Sequence, residues 1–213
     1  MIHLVWATPS TDERLAYIAR VSNPSNQDNP NIEGLFKYMM REGHVSPFEM
    51  AHACIEINTT RDIGRQILRH RSFSFQEFSQ RYQDVTKLGE FSIRECRTQD
   101  TKNRQSSHVT DNTALNDWWE GAQRRMINEA AFLYTEALSR GVAKEQARAL
   151  LPEGMTMSRM YMSGSFRSWI HYLNSRLHPT TQKEHREVAE QVLALLRTAA
   201  PITMGVFFPE ERA

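Results

Sequence analysis

The chain has 213 residues, enough for one domain with a substantial core. Its 26 basic and 25 acidic side chains leave a formal net charge of +1, which excludes a global basic field for nucleic acid, so any cationic site must be local. No run approaches the ~18 to 20 apolar residues of a membrane span. "MIHLVWATPS" lacks the basic start of a secretion signal, and two separated cysteines, Cys54 and Cys96, suit a reduced cytoplasmic setting with no metal framework.

In chain order, "IHLVW" (2–6) predicts a first strand. Residues 11–22 predict a helix: Thr11 can cap it, acids open it, and Leu15, Ile18 and Ala19 share a face. The Asn- and Pro-dense stretch 23–31 is a loop. An amphipathic helix comes next over 32–42 and ends near Gly43. "AHACIEIN" (51–58) alternates, placing Ala51, Ala53, Ile55 and Ile57 on one face of a strand. Thr59 or Thr60 then caps a helix running to about His70.

Residues 97–113 are polar and predict a long loop or lid. A long helix over 114–139 carries Leu115, Trp118, Trp119 and Met126 on its apolar side, and a shorter one over 143–150 stops before Pro152. The segment 156–164 reads equally as strand or loop. Helices over about 165–176 and 181–199 close the fold, the second periodic through Val188, Val192, Leu195 and Leu196. The elements predict a single α+β domain over 1–213: a small, mostly antiparallel sheet packed with several helices, including long C-terminal ones.

The chemistry concentrates in "RDIGRQILRHR" (61–71) and in "SFSFQEFSQRY" (72–82). Arg61, Arg65 and Arg69 lie four apart and share a helical face; Gln66, Arg69 and His70 also converge. A solvated basic face is the ordinary outcome of such a stripe. Against it, close arginines repel unless an anion sits between them, and Asp62 is the one acid in the first segment. Arginine recognises phosphate bidentately, so phosphate binding is the reading favoured here. In "QEFSQRY", Glu77, Ser79 and Arg81 share a face if the segment is extended. Ser79 has no recognisable activating base, so a hydrogen bond to a ligand fits it better than nucleophilic attack. Further arginines, Arg148, Arg159, Arg167 and Arg176, lie towards the C-terminus, with Arg167, His171 and Arg176 placed near one helix face. No metal-ligand spacing links His44, His178 or His185, and no glycine-rich phosphate loop is present.

The stretch "RHRSFSFQEFSQRY" (69–82) resembles the signature of flavin-dependent thymidylate synthases: Arg69-His70-Arg71, seven residues, then Ser79. "ARVS" (19–22), "GHVSPFE" (43–49), "ARALLP" (147–152), "SFRSWIHYLNSR" (165–176) and "QKEHRE" (182–187) extend the resemblance over most of residues 1 to 200. It implies synthesis of dTMP from dUMP, with methylenetetrahydrofolate as carbon donor, NADPH as reductant and FAD as electron carrier. It also implies a homotetramer with sites shared between subunits, and no protein nucleophile. Carried over by position, Ser22, Ser46, Glu49, Arg69, His70, Arg71, Glu77, Ser165, Arg167 and His171 correspond to FAD contacts. Gln66, Arg69, Glu77, Phe78, Ser79, Gln80, Arg81, Arg148 and Arg176 correspond to the dUMP site. Arg176 and His44 correspond to active-site residues, Arg176 to the arginine that favours ionisation of the uracil. Ser165 stands where many members have Asn, and Thr180 where some have His. The competing reading is a small binding module that holds RNA or a nucleotide through the arginine stripe with Phe73, Phe75 and Phe78, which near-neutral charge disfavours.

Overall fold

In the computed structural model, which describes residues 2–210, nine ladder pairs join strand β2 (His52–Thr60) to strand β6 (Met157–Ser165). This pair is the centre of a four-stranded antiparallel sheet. Strand β1 (Ile2–Ala7) pairs outside β2, and strand β3 (Ser74–Glu77) pairs outside β6. The register of β1 against β2 shifts between Leu4 and Trp6. The ambiguous segment 156–164 thus becomes a central strand, because Met160 and Met162 alternate inward between Ser158 and Gly164, all four buried. Phe73 lies so close over Gly164 that a Cβ there would sit 2.5 Å from its ring.

The predicted α+β class holds. One face of the sheet presents Ala53, Ile55, Ile57, Met160 and Met162 to the core. Helices α6 (Phe166–Arg176) and α7 (Lys183–Ala199) contribute Trp169, Leu173, Val188, Val192 and Leu196 to the same core. Full burial of one such side chain is worth about 1.5 to 3 kcal/mol. Trp169 satisfies its indole N–H on the carbonyl of Ala53, at 3.3 Å. Helices α1 (Thr11–Ala19) and α2 (Ile32–Arg41) pack against each other, and their Leu15 and Phe36 are fully buried.

Four elements depart from the predicted ones. A helix that the sequence pattern did not predict, α8 (Pro201–Phe207), comes after α7. Its first turn is held by buried Asp12, whose carboxylate accepts the N–H groups of Ile202 (2.7 Å) and Thr203 (3.0 Å) and the Thr203 hydroxyl. The polar segment 97–113 is not continuous loop. It carries a two-stranded ribbon, β4 (Arg97–Gln99) with β5 (Ser107–Val109). Asp100 organises its turn by accepting the N–H groups of Lys102 and Asn103 and contacting His108. The helix after β2, α3 (Arg61–Ile67), stops short of His70. Finally, α4 (Thr113–Ser139) buries only part of the side expected: Leu115 and Trp119 are half-buried and Gln123, Ala130 and Tyr134 are inside, while Trp118, Met126 and Phe132 are exposed. Among the described residues no helix is long and apolar enough to cross a membrane.

Candidate active site

Because α3 ends at Ile67, Arg69, His70 and Arg71 lie in the turn that leads into β3, and the stripe of three arginines is divided. Arg61 and Arg65 face back to the sheet end and are not free. Arg61 meets Glu153 at 3.3 Å and Glu77 at 3.6 Å, and Arg65 meets the same two carboxylates at the same distances. Glu77 also accepts a hydrogen bond from Ser158 at 2.9 Å. Arg69 and Arg71 are exposed and, among the described residues, no acid pairs with either.

His70 is half-buried at the far end of the same turn. Arg176, in the last turn of α6, donates from Nε to His70 Nε2 at 2.9 Å. Nε2 therefore carries the lone pair, and Nδ1 the proton. Burial and the Arg176 charge push the His70 imidazolium down to about 4, so the ring is neutral at physiological pH. The Tyr172 ring, buried in α6, packs 5.0 Å from it, centroid to centroid. Gln66, one turn back on α3, is half-buried on the same side and bonds Gln182 and His185.

The strand β3 ends at Glu77, so Glu77, Ser79 and Arg81 do not alternate along an extended run as expected. Instead the chain turns: the carbonyl of Ser79 accepts from the N–H groups of Tyr82 and Gln83. Phe78 anchors this turn in a small second core with Val85, Tyr134 and Ala147. Gln80 is buried with its amide nitrogen unpartnered among the described residues. Arg81 pairs with Glu145 at 3.3 Å, and Arg148, one residue past helix α5 (Lys144–Ala147), donates to the carbonyl of Glu145. The Ser79 hydroxyl is exposed, and no histidine or carboxylate among the described residues bonds it.

The remaining predicted contacts lie towards the N-terminal end of α6. Ser165 caps that helix, accepting the N–H of Ser168, and is buried. Arg167 pairs with Glu49 at 2.7 Å; His171 is exposed on the next turn. Arg176 is nine residues beyond Arg167 and half a helical rotation round, so these arginines do not share a face as expected. His44 is exposed just before the short turn 46–49 and edge-on to Tyr38, and Ser46, also exposed, is the first residue of that turn. Ser22 opens on a cavity of about 380 Å³ lined by Asn23, Asn26, Asn29 and Asn31. Buried Arg20 shapes that loop by donating to the carbonyls of Gln27, Asn29 and Asn31. Arg159 is likewise engaged, with Glu56 at 3.5 Å, on the open sheet face. Phe73 is in the core and Phe75 packs against it, so the aromatic run offers no stacking platform for single-stranded nucleic acid.

Three residues behind the site were not predicted. Buried His185 places Nδ1 3.1 Å from Gln66 Oε1. Gln182 accepts from Gln66 Nε2 at 2.7 Å and donates to Glu184 at 2.9 Å. Glu184 in turn pairs with Arg94 (3.0 Å) and Arg97 (2.5 Å). Burial alone would raise the Glu184 carboxyl, but hydrogen bonds led by Arg97, with the Arg94 charge, hold it at about 2. The sequence carries two signals for them: "QKEHRE" (182–187) is among the stretches that resemble the family, and His185 precedes Val188, Ala189 and Val192 at helical spacing, so it sits on the apolar stripe.

A solved UMP/dUMP methylase, PolB from Streptomyces cacaoi bound with 5-Br dUMP, superposes with a TM-score of 0.82 at 27% identity, covering 97% of this chain and 93% of that one. Fold and site together define a methyltransferase. A family model described as thymidylate synthase complementing protein matches residues 3–202. The flavin-dependent thymidylate synthase of Synechocystis sp. is 51% identical over 180 residues, 84% of this chain and 81% of the relative. A probable flavin-dependent thymidylate synthase of Paramecium bursaria Chlorella virus 1 is 45% identical over 181 residues, 84% and 82% of the two chains. The chain belongs to the flavin-dependent thymidylate synthase family.

Proposed function

We propose that the chain converts dUMP to dTMP, taking the carbon from methylenetetrahydrofolate and electrons from NADPH through bound FAD, with no protein nucleophile. One observation carries this reading. Arg69, Arg71, Arg148 and Arg176 have no carboxylate partner among the described residues, whereas Arg61 and Arg65 have two each and Arg81, Arg159 and Arg167 one each. Arginines left without acids suit a ligand set made of a monophosphate, a pyrophosphate and an anionic folate tail.

The residues present fit a flavin dinucleotide. Arg69 and Arg71 supply unpaired cations, and Ser22 with its asparagine-lined cavity supplies neutral donors and acceptors for a sugar or base. Ser46, Glu49, Glu77, Ser165, Arg167 and His171 complete the proposed FAD contacts, with His44 beside the flavin. FAD, when bound, supplies the electrons that turn the transferred carbon into a methyl group. The chain's own residues bind and orient. Arg81 and Arg148 hold the nucleotide phosphate; Gln66, Glu77, Phe78, Ser79 and Gln80 shape the sugar and base site. Arg176 places a cation where negative charge develops on the uracil. A neutral His70 accepts from Arg176 and so points that guanidinium.

The exposed apolar side of α4, with Trp118, Met126 and Phe132, supports assembly with further copies, and a homotetramer is the proposed state. The proposed location is the cytoplasm. The test is release of the C5 hydrogen and formation of dTMP from dUMP by the purified protein supplied with FAD, NADPH and methylenetetrahydrofolate. Product that depends on all three supports the reading. A protein that takes up no flavin and makes no dTMP contradicts it.

A further inference from the structure

The polar chain behind Gln66 has a direction that can be read from one end. A carboxylate only accepts, so Glu184 fixes the Gln182 amide with its nitrogen towards Glu184, at 2.9 Å. The Gln182 oxygen therefore faces Gln66 and accepts from its Nε2, at 2.7 Å. That leaves the Gln66 oxygen facing His185 Nδ1, at 3.1 Å, so Nδ1 must carry the proton. His185 is fully buried, and its Nε2 has no hydrogen-bond partner among the described residues, as expected of a ring whose one proton is committed to Gln66. Burial, with the Arg176 charge, pushes its imidazolium down to about 3, which keeps the ring to that single proton.

The chain leaves Gln66 one N–H and one lone pair, at fixed ends of its amide. A pyrimidine edge is a matching pattern. Uracil presents a carbonyl oxygen beside an N–H, whereas cytosine presents an amino group beside a bare ring nitrogen. An amide held one way round suits one of these and mispairs with the other; an amide free to flip suits both.

We infer that Gln182, oriented by Glu184, is a positioning residue that locks the amide of Gln66, with His185 holding the oxygen end, and that this lock sets the site's preference for uracil over cytosine. The inference rests on the reading of Gln66 as part of the nucleotide site. It gives work to a buried histidine that touches no ligand, and to Gln182 and Glu184 behind it.

The experiment is calorimetric titration of the flavin-loaded protein with dUMP and with dCMP, for wild type and three variants. Gln182→Leu removes the acceptor that holds the Gln66 nitrogen; His185→Leu removes the donor that holds its oxygen; His185→Asn places an amide N–H where Nδ1 stands. Wild type should prefer dUMP. Gln182→Leu should lose about tenfold of that preference, the scale of one mispaired buried hydrogen bond, His185→Leu should lose less, and His185→Asn should match wild type. Thermal melts of all three show whether folding alone accounts for the change. If Gln182→Leu lowers dUMP and dCMP binding alike, or keeps the wild-type preference, the inference falls while the nucleotide site stands. If wild type binds no dUMP, the nucleotide-site reading falls and takes the inference with it.

Discussion

Arg176 and His70 meet at 2.9 Å, Nε to Nε2, across 106 residues of chain. The bond joins the last turn of α6 to the turn after α3 and fixes a guanidinium and a neutral imidazole in one orientation. The remaining guanidinium N–H groups of Arg176 have no partner among the described residues. Arg176 is thus aimed by the protein and left unpaired, as an electrostatic catalyst should be.

Arg176→Ala should lower kcat by about a hundredfold or more, the usual cost of removing a donor from developing charge. Ser79→Ala should keep turnover and weaken dUMP binding only about fivefold, the worth of one neutral hydrogen bond. Steady-state kinetics with flavin content checked for each variant separates the two. A flavin-loaded Ser79→Ala protein that is inactive at saturating dUMP would make Ser79 a nucleophile.

Arg81→Ala and Arg148→Ala should weaken dUMP more than FAD. Each removes a charge-assisted contact worth about 1.5 to 3 kcal/mol, or roughly ten- to a hundredfold in dissociation constant. Equal loss of both ligands would assign these arginines to the integrity of the Ser79–Arg81 turn instead.

Acid should destabilise the fold through its buried neutral histidines. An unfolded histidine takes up a proton near pH 6.5, whereas folded His70 resists to about 4 and His185 to about 3. Below 6.5 the unfolded chain therefore holds more protons, and stability falls as pH drops towards those folded values. The slope is roughly 1.4 kcal/mol per pH unit for each histidine involved. Melting temperatures from pH 7.5 to 4.5 should decline less steeply in His185→Leu than in wild type; identical slopes would remove His185 from the linkage.

Asp12→Ala should destabilise the protein by about 3 kcal/mol or more, because it strips three hydrogen bonds from the buried start of α8. Urea titration measures this directly. A loss below about 1 kcal/mol would mean that α8 holds its place by packing alone.

What the sequence makes legible here is periodic and local. Val188, Val192 and Leu196 spell out α7, and Ala53, Ile55 and Ile57 spell out β2. Helix α8 was not legible because the residue that holds its start, Asp12, lies 190 positions upstream. The same distance problem hid the pairing of Arg61 with Glu153, which turned two of three striped arginines from ligand-binding candidates into structural ones. For α4 the pattern showed that Trp118 and Met126 need cover, but a single chain does not supply it. The RHR-to-Ser segment was legible as a motif, yet its fold was not, since the turn at Ser79 depends on Phe78 reaching Tyr134.

The central claim is that Arg148 and Arg176, free of acids, together with Arg81 assemble dUMP beside a reduced flavin that delivers its electrons to the new methyl group. Single turnover tests it most directly. Flavin-loaded protein is photoreduced without oxygen and mixed with dUMP and methylenetetrahydrofolate, and flavin absorbance and dTMP are followed together. The account predicts one dTMP per flavin reoxidised, with no reoxidation when dUMP is omitted. Flavin that stays reduced with all ligands bound, or dTMP formed by protein that holds no flavin, would contradict it.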